Sequence, residues 1–447
     1  MSEISKETLE LRLKQLKCHF TWKLLLKDTE PDELEDRLND QLTFLVTKNK
    51  YMVYNLLAYM MHLKGDYPKA IANLEKAEEM IKENNPDGTD HRYLVTYGNY
   101  AWVFYYFNQY EESQKYIDKV EQIHEELKDT PGRAEIYGEK AWALLAFTAQ
   151  HYEESKQCFE KALKLEPEDP EWNSGYATVV YRLEGLNGRK FPASECRSLE
   201  LLKRAIEKNP NDLVVKALLA LKLQVLRKPY IEEDIVQAPS NPYLLRYVAK
   251  FYKRAGMVDK ALELLKTAID LTPSSGALHH QTGLCYWKKY LYYKNEFPSK
   301  NIDPSIIEKT IFHFEKAVEY KKMFVFAYLD LAKAYREIED LQKAEETYQA
   351  VLALSNLTDE ERQKIYYIYG CFKERYMKSE SEAIDCYKKS LQINILQNER
   401  EKSETALRRI YFNKMKNDFY DDEAFAFLSF VHKTKEERKD AIDKKKP

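Results

Sequence analysis

Apolar and small residues recur along this chain at alternating offsets of three and four, with polar residues between them. Tyr67, Ala70, Leu74 and Ala77 form one copy, and Tyr152, Ser155, Phe159 and Ala162, followed by Pro167, form another. Val258, Ala261, Leu265 and Ala268 repeat the pattern ahead of Pro273, and Leu341, Ala344, Tyr348 and Val351 repeat it again. Ala205 with Pro210, and Phe314 with Ala317, are partial copies. This spacing gathers the apolar positions on one face of an α-helix. The small residues let a second helix come close and the larger ones fill the seam. Proline, with no amide hydrogen, ends the helix. A partner helix is predicted upstream of each copy, with its own small residue at the crossing: Ala58, Ala101, Ala143, Ala249 and Ala332.

A helical hairpin that recurs in this way matches the tetratricopeptide repeat of about 34 residues. Several periods here are longer, so loops are inserted between hairpins. The expected fold is all-α: a tetratricopeptide-repeat superhelix, or α-solenoid, of about eight helical hairpins around a central basic groove or tunnel. Residues 1–50 read as N-terminal helices, 51–238 as an N-terminal sub-bundle, 239–393 as a central sub-bundle, and 394–447 as C-terminal helices and a polar tail. The seam at 238 rests on the turn-rich run from Gln237 to Pro242. Glu184 to Ser194 reads as a loop within one repeat and Asn295 to Pro304 as an insertion between helices. The charged tail from Lys433 to Pro447 is expected to fray.

Composition narrows the function. Only 12 Gly and 15 Pro fit stacked helices better than a loop-rich β protein, and 34 Tyr suit seams and grooves that grip polar ligands. The formal net charge is −3, so no global field attracts nucleic acid, and such binding needs a locally segregated patch. The six scattered cysteines form no C-x-x-C pair, which predicts a reduced, cytosolic compartment and no zinc site. The N-terminal run lacks an apolar signal segment, and no stretch is apolar enough to span a membrane. Walker, G-x-S-x-G, H-E-x-x-H and G-x-G-x-x-G motifs are absent, so the chain reads as a binder and not an enzyme.

A segregated patch is present. The first helix of each hairpin lines the inside of such an array, and the helix from Pro242 places Tyr243, Arg246, Lys250 and Lys253 on one face. From Ile235 to Val258 there is no Asp or Glu, while Arg254, Tyr247 and Tyr252 add to the stripe. Two readings stand: a solvated basic face, or a track for phosphates with rings for stacking bases. Glu171, Thr178 and Arg182 share a face of another first helix, where Arg182 has Glu171 as a candidate ion-pair partner. His280 and Gln281 occupy the places in their repeat that Arg246 and Tyr247 hold in the one before. His279 beside His280 reads as a hydrogen-bonded helix histidine and not a metal site. Lys333, Arg336 and Arg375 extend the cationic character.

More specific residues point to a family. They are Cys18-His19-Phe20-Thr21-Trp22, Asn55-Leu56-Leu57-Ala58-Tyr59, Gly98-Asn99-Tyr100-Ala101-Trp102, Trp142-Ala143-Leu144-Leu145 and Leu278-His279-His280-Gln281. Over nearly its whole length the chain resembles the interferon-induced proteins with tetratricopeptide repeats. The resemblance implies a cytosolic, interferon-induced antiviral effector of innate immunity. Such an effector binds the 5′ end of single-stranded viral RNA, triphosphate or undermethylated cap, in a basic tunnel and keeps it from translation. By position, Arg37, Gln41, Tyr152 and Arg182 would meet the 5′ phosphates, and Leu45, Thr47, Trp142 and Thr178 would line the cap extension. Arg246, Tyr247, Lys250, Lys253, His280, Gln281, Lys402 and Arg409 would hold the following nucleotides. No resident cofactor is implied beyond a magnesium ion at the RNA triphosphate, which Glu33 would help to hold. Other family members are implied as partners in homo- or hetero-oligomers. Plain core packing is the competing role for Trp142.

The chain also departs from the family pattern. Ala146 stands where RNA-binding members carry a lysine, Val214 where they carry a tyrosine, and Lys253 where they carry an arginine. Loss of one charge-assisted contact is expected to weaken triphosphate binding by about ten- to a hundredfold. A tetratricopeptide scaffold for antiviral protein complexes, or a single-stranded RNA binder indifferent to the 5′ end, are the competing functions.

Overall fold

In the computed structural model the described residues are 6–24, 31–44, 49–84, 90–126, 134–147, 149–186, 196–228, 241–297, 302–355, 357–393, 395, 398–417, 422–427 and 429. Among them every regular element is helical. Helices α1 (Lys6–Leu13) and α2 (Pro31–Phe44) precede the array. Hairpins follow as α3 (Lys50–Leu63) on α4 (Tyr67–Asn84), α5 (Tyr93–Tyr106) on α6 (Tyr110–Glu126), α7 (Ala134–Ala146) on α8 (Tyr152–Leu165), and α9 (Pro170–Leu186) on α10 (Arg197–Lys208). After α11 (Leu213–Val225) come α12 (Pro242–Arg254) on α13 (Val258–Leu271) and α14 (Gly276–Glu296) on α15 (Pro304–Tyr320). The chain divides into two compact units, Met1–Met323 and Phe324–Pro447. The second holds α16 (Val325–Glu337) on α17 (Leu341–Leu352), α18 (Asp359–Arg375) on α19 (Glu380–Gln392), and α20 (Asn398–Asn417). The eight hairpins agree with the repeat count.

The seams are built as the pattern requires. Ala58, Ala101, Ala249 and Ala332 are fully buried on the first helices, and Ala70, Leu74, Ala77, Phe159, Ala162, Ala261, Leu265 and Ala268 on the second. Where serine replaces alanine, its hydroxyl is used: Ser155 Oγ donates to the Ala141 carbonyl at 2.8 Å and Ser113 Oγ to that of Ala101 at 2.8 Å. Gly175 gives the closest approach. A Cβ there would lie 2.2 Å from Cζ of Phe159, so the ring rests directly on the α9 backbone.

Two of the expected breaks lie elsewhere than the sequence places them. The loop expected from Glu184 begins later, because α9 runs on to Leu186; Glu184 stays helical to accept from Ser198 and from Lys222. The insertion from Asn295 is shorter than expected, since α14 ends at Glu296 and Pro304 opens α15 with Asp303 as its cap. Most of the Gln237–Pro242 hinge, and the tail from Lys433, lie outside the described residues.

The run Cys18 to Trp22 is an N-terminal clasp on α5. Cys18 and His19 are fully buried. The His19 amide donates to Asn99 Oδ1 at 3.2 Å and Asn99 Nδ2 sits 3.0 Å from His19 Nδ1. Burial drives the imidazole down to about 3, so it is neutral at physiological pH.

A buried carboxyl links three first helices. Asn55 of α3 donates to Thr96 of α5 at 3.0 Å and to Glu139 of α7 at 2.9 Å. Burial pushes Glu139 up to about 8, with Asn55 opposing. The unfolded chain gives up this proton near pH 4.3, so stability falls as pH rises from there to about 8, then levels off. Glu139→Gln keeps an oxygen for Asn55 and removes the titration. It is expected to raise the melting temperature at pH 8 and to lose most of that advantage at pH 5. An equal gap at both pH values would contradict this.

Helix α2 belongs to no hairpin; it is held by side chains from several hairpins of the first unit. Lys64, at the C-cap of α3, pairs with Asp32 and Glu35, and Lys321, which follows α15, pairs with Glu33 at 2.8 Å. Ser274 reaches Asp36 at 3.3 Å, and the Tyr243 hydroxyl donates to the Arg37 carbonyl at 2.8 Å. These partners are separated by up to 288 residues. No local pattern reveals them.

Candidate nucleic-acid interface

Helix α12 begins where sequence chemistry says it should. Asn241 caps it, accepting from the amides of Tyr243 at 3.0 Å and Leu244 at 3.1 Å, and Pro242 fits the first turn because its missing amide is not needed there. The cap's Nδ2 donates to the Phe44 carbonyl at 2.9 Å, tying α12 to the end of α2. Leu244, Leu245, Val248, Phe251 and Tyr252 take the buried face. The opposite face carries Tyr243, Arg246, Tyr247, Lys250 and Lys253, each half-buried.

That face is not a solvated one. Burial, with Arg254, Arg246 and Lys253 adding, drives the Lys250 ammonium down to about 8, while Tyr247 pulls the other way. Burial alone would raise the Tyr247 hydroxyl, yet Arg246 and Arg182 bring it down to about 7. Arg246 Nη2 donates to the Tyr247 oxygen at 3.1 Å. An ammonium and a phenol that both give up their protons more readily than usual report one thing: a desolvated region with excess positive charge.

Other elements supply the rest of that charge. Arg182 stands on α9, one turn beyond buried Thr178. Its Nη1 lies 3.4 Å from the Leu145 carbonyl and 3.4 Å from the Tyr152 hydroxyl, and its guanidinium is 5.6 Å from the Tyr152 ring. Burial would lower its pKa, but Tyr247 and Tyr152 outweigh burial and raise it, so the charge is permanent. Arg37 of α2 donates to the Ala146 carbonyl. Two arginines thus meet the carbonyl end of α7, the negative pole of that helix, which holds them against mutual repulsion. Lys321 adds a further cation that lies within the field of Arg37 and Arg246; burial lowers its pKa and Glu33 opposes. Sequence reasoning missed Lys321, because it follows α15 with no motif around it.

The expected site residues therefore divide. Arg37, Tyr152, Arg182, Arg246, Tyr247 and Lys250 share one electrostatic neighbourhood in the first unit. Gln41 follows Arg37 by one turn of α2, half-buried, with no hydrogen-bond partner among the described residues. Gln281 is buried and donates to the Arg246 carbonyl at 2.9 Å, so its amide positions α12. His280 lies 5.6 Å from the Phe314 ring, and the Lys253 carbonyl accepts from Lys288. His279 is held by the Pro273 carbonyl and by His313, as a helix histidine. Trp142 is half-buried and meets Phe159 edge-on at 5.4 Å, a packing contact. Arg182 uses carbonyl and phenol partners where an ion pair to Glu171 was the competing reading. Lys402 and Arg409 belong to the second unit, where Lys402 lies 3.9 Å from Glu399 and Arg409 pairs with Glu374. Leu45 and Thr47 lie outside the described residues. Val214 takes its place in the first turn of α11, its amide bound by the Asp212 cap at 3.1 Å. The Glu33 carboxylate is engaged by Lys321, and among the described residues no three His, Cys, Asp or Glu gather as metal ligands.

Comparison with known proteins agrees with the repeats. Tetratricopeptide-repeat models match residues 51–126, 134–169 and 327–356. The human antiviral innate immune response effector IFIT1 is 40% identical over 96% of this chain and 93% of its own length. Human interferon-induced protein with tetratricopeptide repeats 2 is 34% identical over 99% and 95%. The chain belongs to the family of interferon-induced proteins with tetratricopeptide repeats. Among solved structures of this family, the human IFIT1 dimer with m7Gppp-AAAA superposes with a TM-score of 0.84 at 40% identity, covering 97% of each chain. The same dimer with PPP-AAAA gives 0.81, again at 40% identity and 97% of each chain. In this member no helix among the described residues is long and apolar enough to cross a membrane.

Proposed function

We propose that this family member captures the 5′ end of single-stranded RNA, triphosphate or incompletely methylated cap, in the basic groove of its first unit. By holding the RNA it keeps it from translation, as a cytoplasmic antiviral effector that acts without turnover. One observation carries the reading: Arg37, Arg182, Arg246 and Lys250, from three helices, converge where burial strengthens their field. A triphosphate carries several charges and binds well where such donors meet. The relative solved with PPP-AAAA and with m7Gppp-AAAA supports the same ligand class. Its dimer supports assembly with a second copy or another family member. The 5′ phosphates would meet Arg37, Gln41, Tyr152 and Arg182, and the following nucleotides Arg246, Tyr247, Lys250, Lys253 and His280. Capture rests on the protein's cations, with no resident metal.

Fluorescence anisotropy with one oligoadenylate carrying a 5′ triphosphate, a cap or a 5′ hydroxyl tests this. The first two are expected to bind at least about tenfold more tightly than the third, the worth of one charge-assisted contact. Equal affinity for all three would sink the proposal in favour of general single-strand binding.

A further inference from the structure

Tyr247 has an arginine on each side. Arg246 donates to its hydroxyl at 3.1 Å and lies 4.9 Å from the ring centre. Arg182 of α9, which also holds Tyr152, adds its charge to the field at the same hydroxyl. The ring is fixed below by the clusters around Leu202 and Ala205 and around Leu244 and Val248. A guanidinium only donates, so the phenol oxygen accepts from Arg246 and its own proton has no role in that bond. Two cations bearing on one oxygen is the environment an anion receives.

We propose that Tyr247 is the built-in counter-ion of the site: its oxygen holds Arg182 and Arg246 in place when the groove is empty, and an entering phosphate replaces it. The step balances simply. The phenolate takes one proton from solvent as the phosphate oxygens accept the two guanidinium groups. The groups facing Tyr247 fit this role. They are Arg182 and Tyr181 of α9, and Tyr243, Arg246 and Lys250 of α12 itself; Tyr152 of α8 shares Arg182, and Arg37 and Asp40 of α2 act through Tyr243. Asp40 is the one acid among them, and burial with Asp36 nearby holds it up at about 6. The hydroxyl, at about 7, is poised to change state near neutrality. The exchange rests on the RNA reading above; the tyrosine's state in the free protein does not.

The test follows phenolate absorbance in the free protein from about pH 6 to about pH 9, then repeats it with Gppp-AAAA, whose bridging phosphates do not titrate in that range. Wild type is expected to show one tyrosine step that Tyr247→Phe lacks, and that Arg246→Gln moves upward out of the range. Bound RNA is expected to remove the step. Wild-type affinity is expected to fall about a hundredfold from about pH 6.5 to about pH 8.5, about twentyfold of it from Tyr247. Tyr247→Phe keeps only the shallower slope that Lys250 supplies. Absence of the step in free wild type, or its survival in Tyr247→Phe, overturns the counter-ion. A step that RNA binding leaves in place overturns the exchange. A step that is present while Gppp-AAAA does not bind overturns the RNA reading and leaves the counter-ion standing.

Discussion

Arg182→Ala is expected to weaken binding of triphosphate-ended RNA by about a hundredfold, while a hydroxyl-ended RNA loses much less. A hydrogen bond to a charged group contributes about 1.5–3 kcal/mol, and Arg182 is held ready by the Leu145 carbonyl and Tyr152 before any ligand arrives. Its charge is permanent, because the neighbouring phenols outweigh the cost of burial. Removal also takes one of the two positive charges away from Tyr247. Arg182→Lys restores charge without the planar fork and is expected to recover only part of the loss. Anisotropy titrations of both variants, with thermal melts to confirm folding, check this. Wild-type binding by Arg182→Ala would place the 5′ end elsewhere.

The second large effect is a gain. Ala146 closes α7, and Arg37 donates to its carbonyl and not to its side chain. Ala146→Lys therefore leaves that bond available and adds an ammonium beside Arg37 and Arg182, where family members that bind RNA are expected to carry one. The variant is expected to bind triphosphate-ended RNA about ten- to a hundredfold more tightly, the worth of one charge-assisted contact. Hydroxyl-ended RNA is expected to change little. A uniform gain for both ends would mean that the lysine acts on the general field and not on the terminal phosphates.

How much of this was legible in the sequence depends on the range of each interaction. The hairpins were, because their code is local: Ala261, Leu265 and Ala268 are spaced for one helical face and all three are fully buried on it. The basic stripe on α12 was legible for the same reason, and the absence of acids there correctly marked a charged region. Its solvation state was not legible, since that depends on α2 and α9 packing over it. The insertion of α2 had no sequence signature, because Glu33 meets Lys321 and Arg37 meets Tyr243 across most of the unit. The roles of single polar residues were the hardest to read. Gln281 reads as an RNA contact, and its amide also holds the Arg246 carbonyl. Trp142 reads as a cap contact or as core, and it meets Phe159 edge-on. In both, the residue type allows two uses, and the packing partner of each had no signal in the sequence.

Photocrosslinking reads the position of the RNA itself. A short oligoadenylate with a 5′ triphosphate and a photoreactive base next to it would be irradiated with the protein, and the linked peptides mapped by mass spectrometry. The account expects adducts on the α9 peptide that carries Arg182 and the α12 peptide from Tyr243 to Lys253. Adducts confined to α10 and α13, or to the second unit, with α9 and α12 untouched, would contradict it.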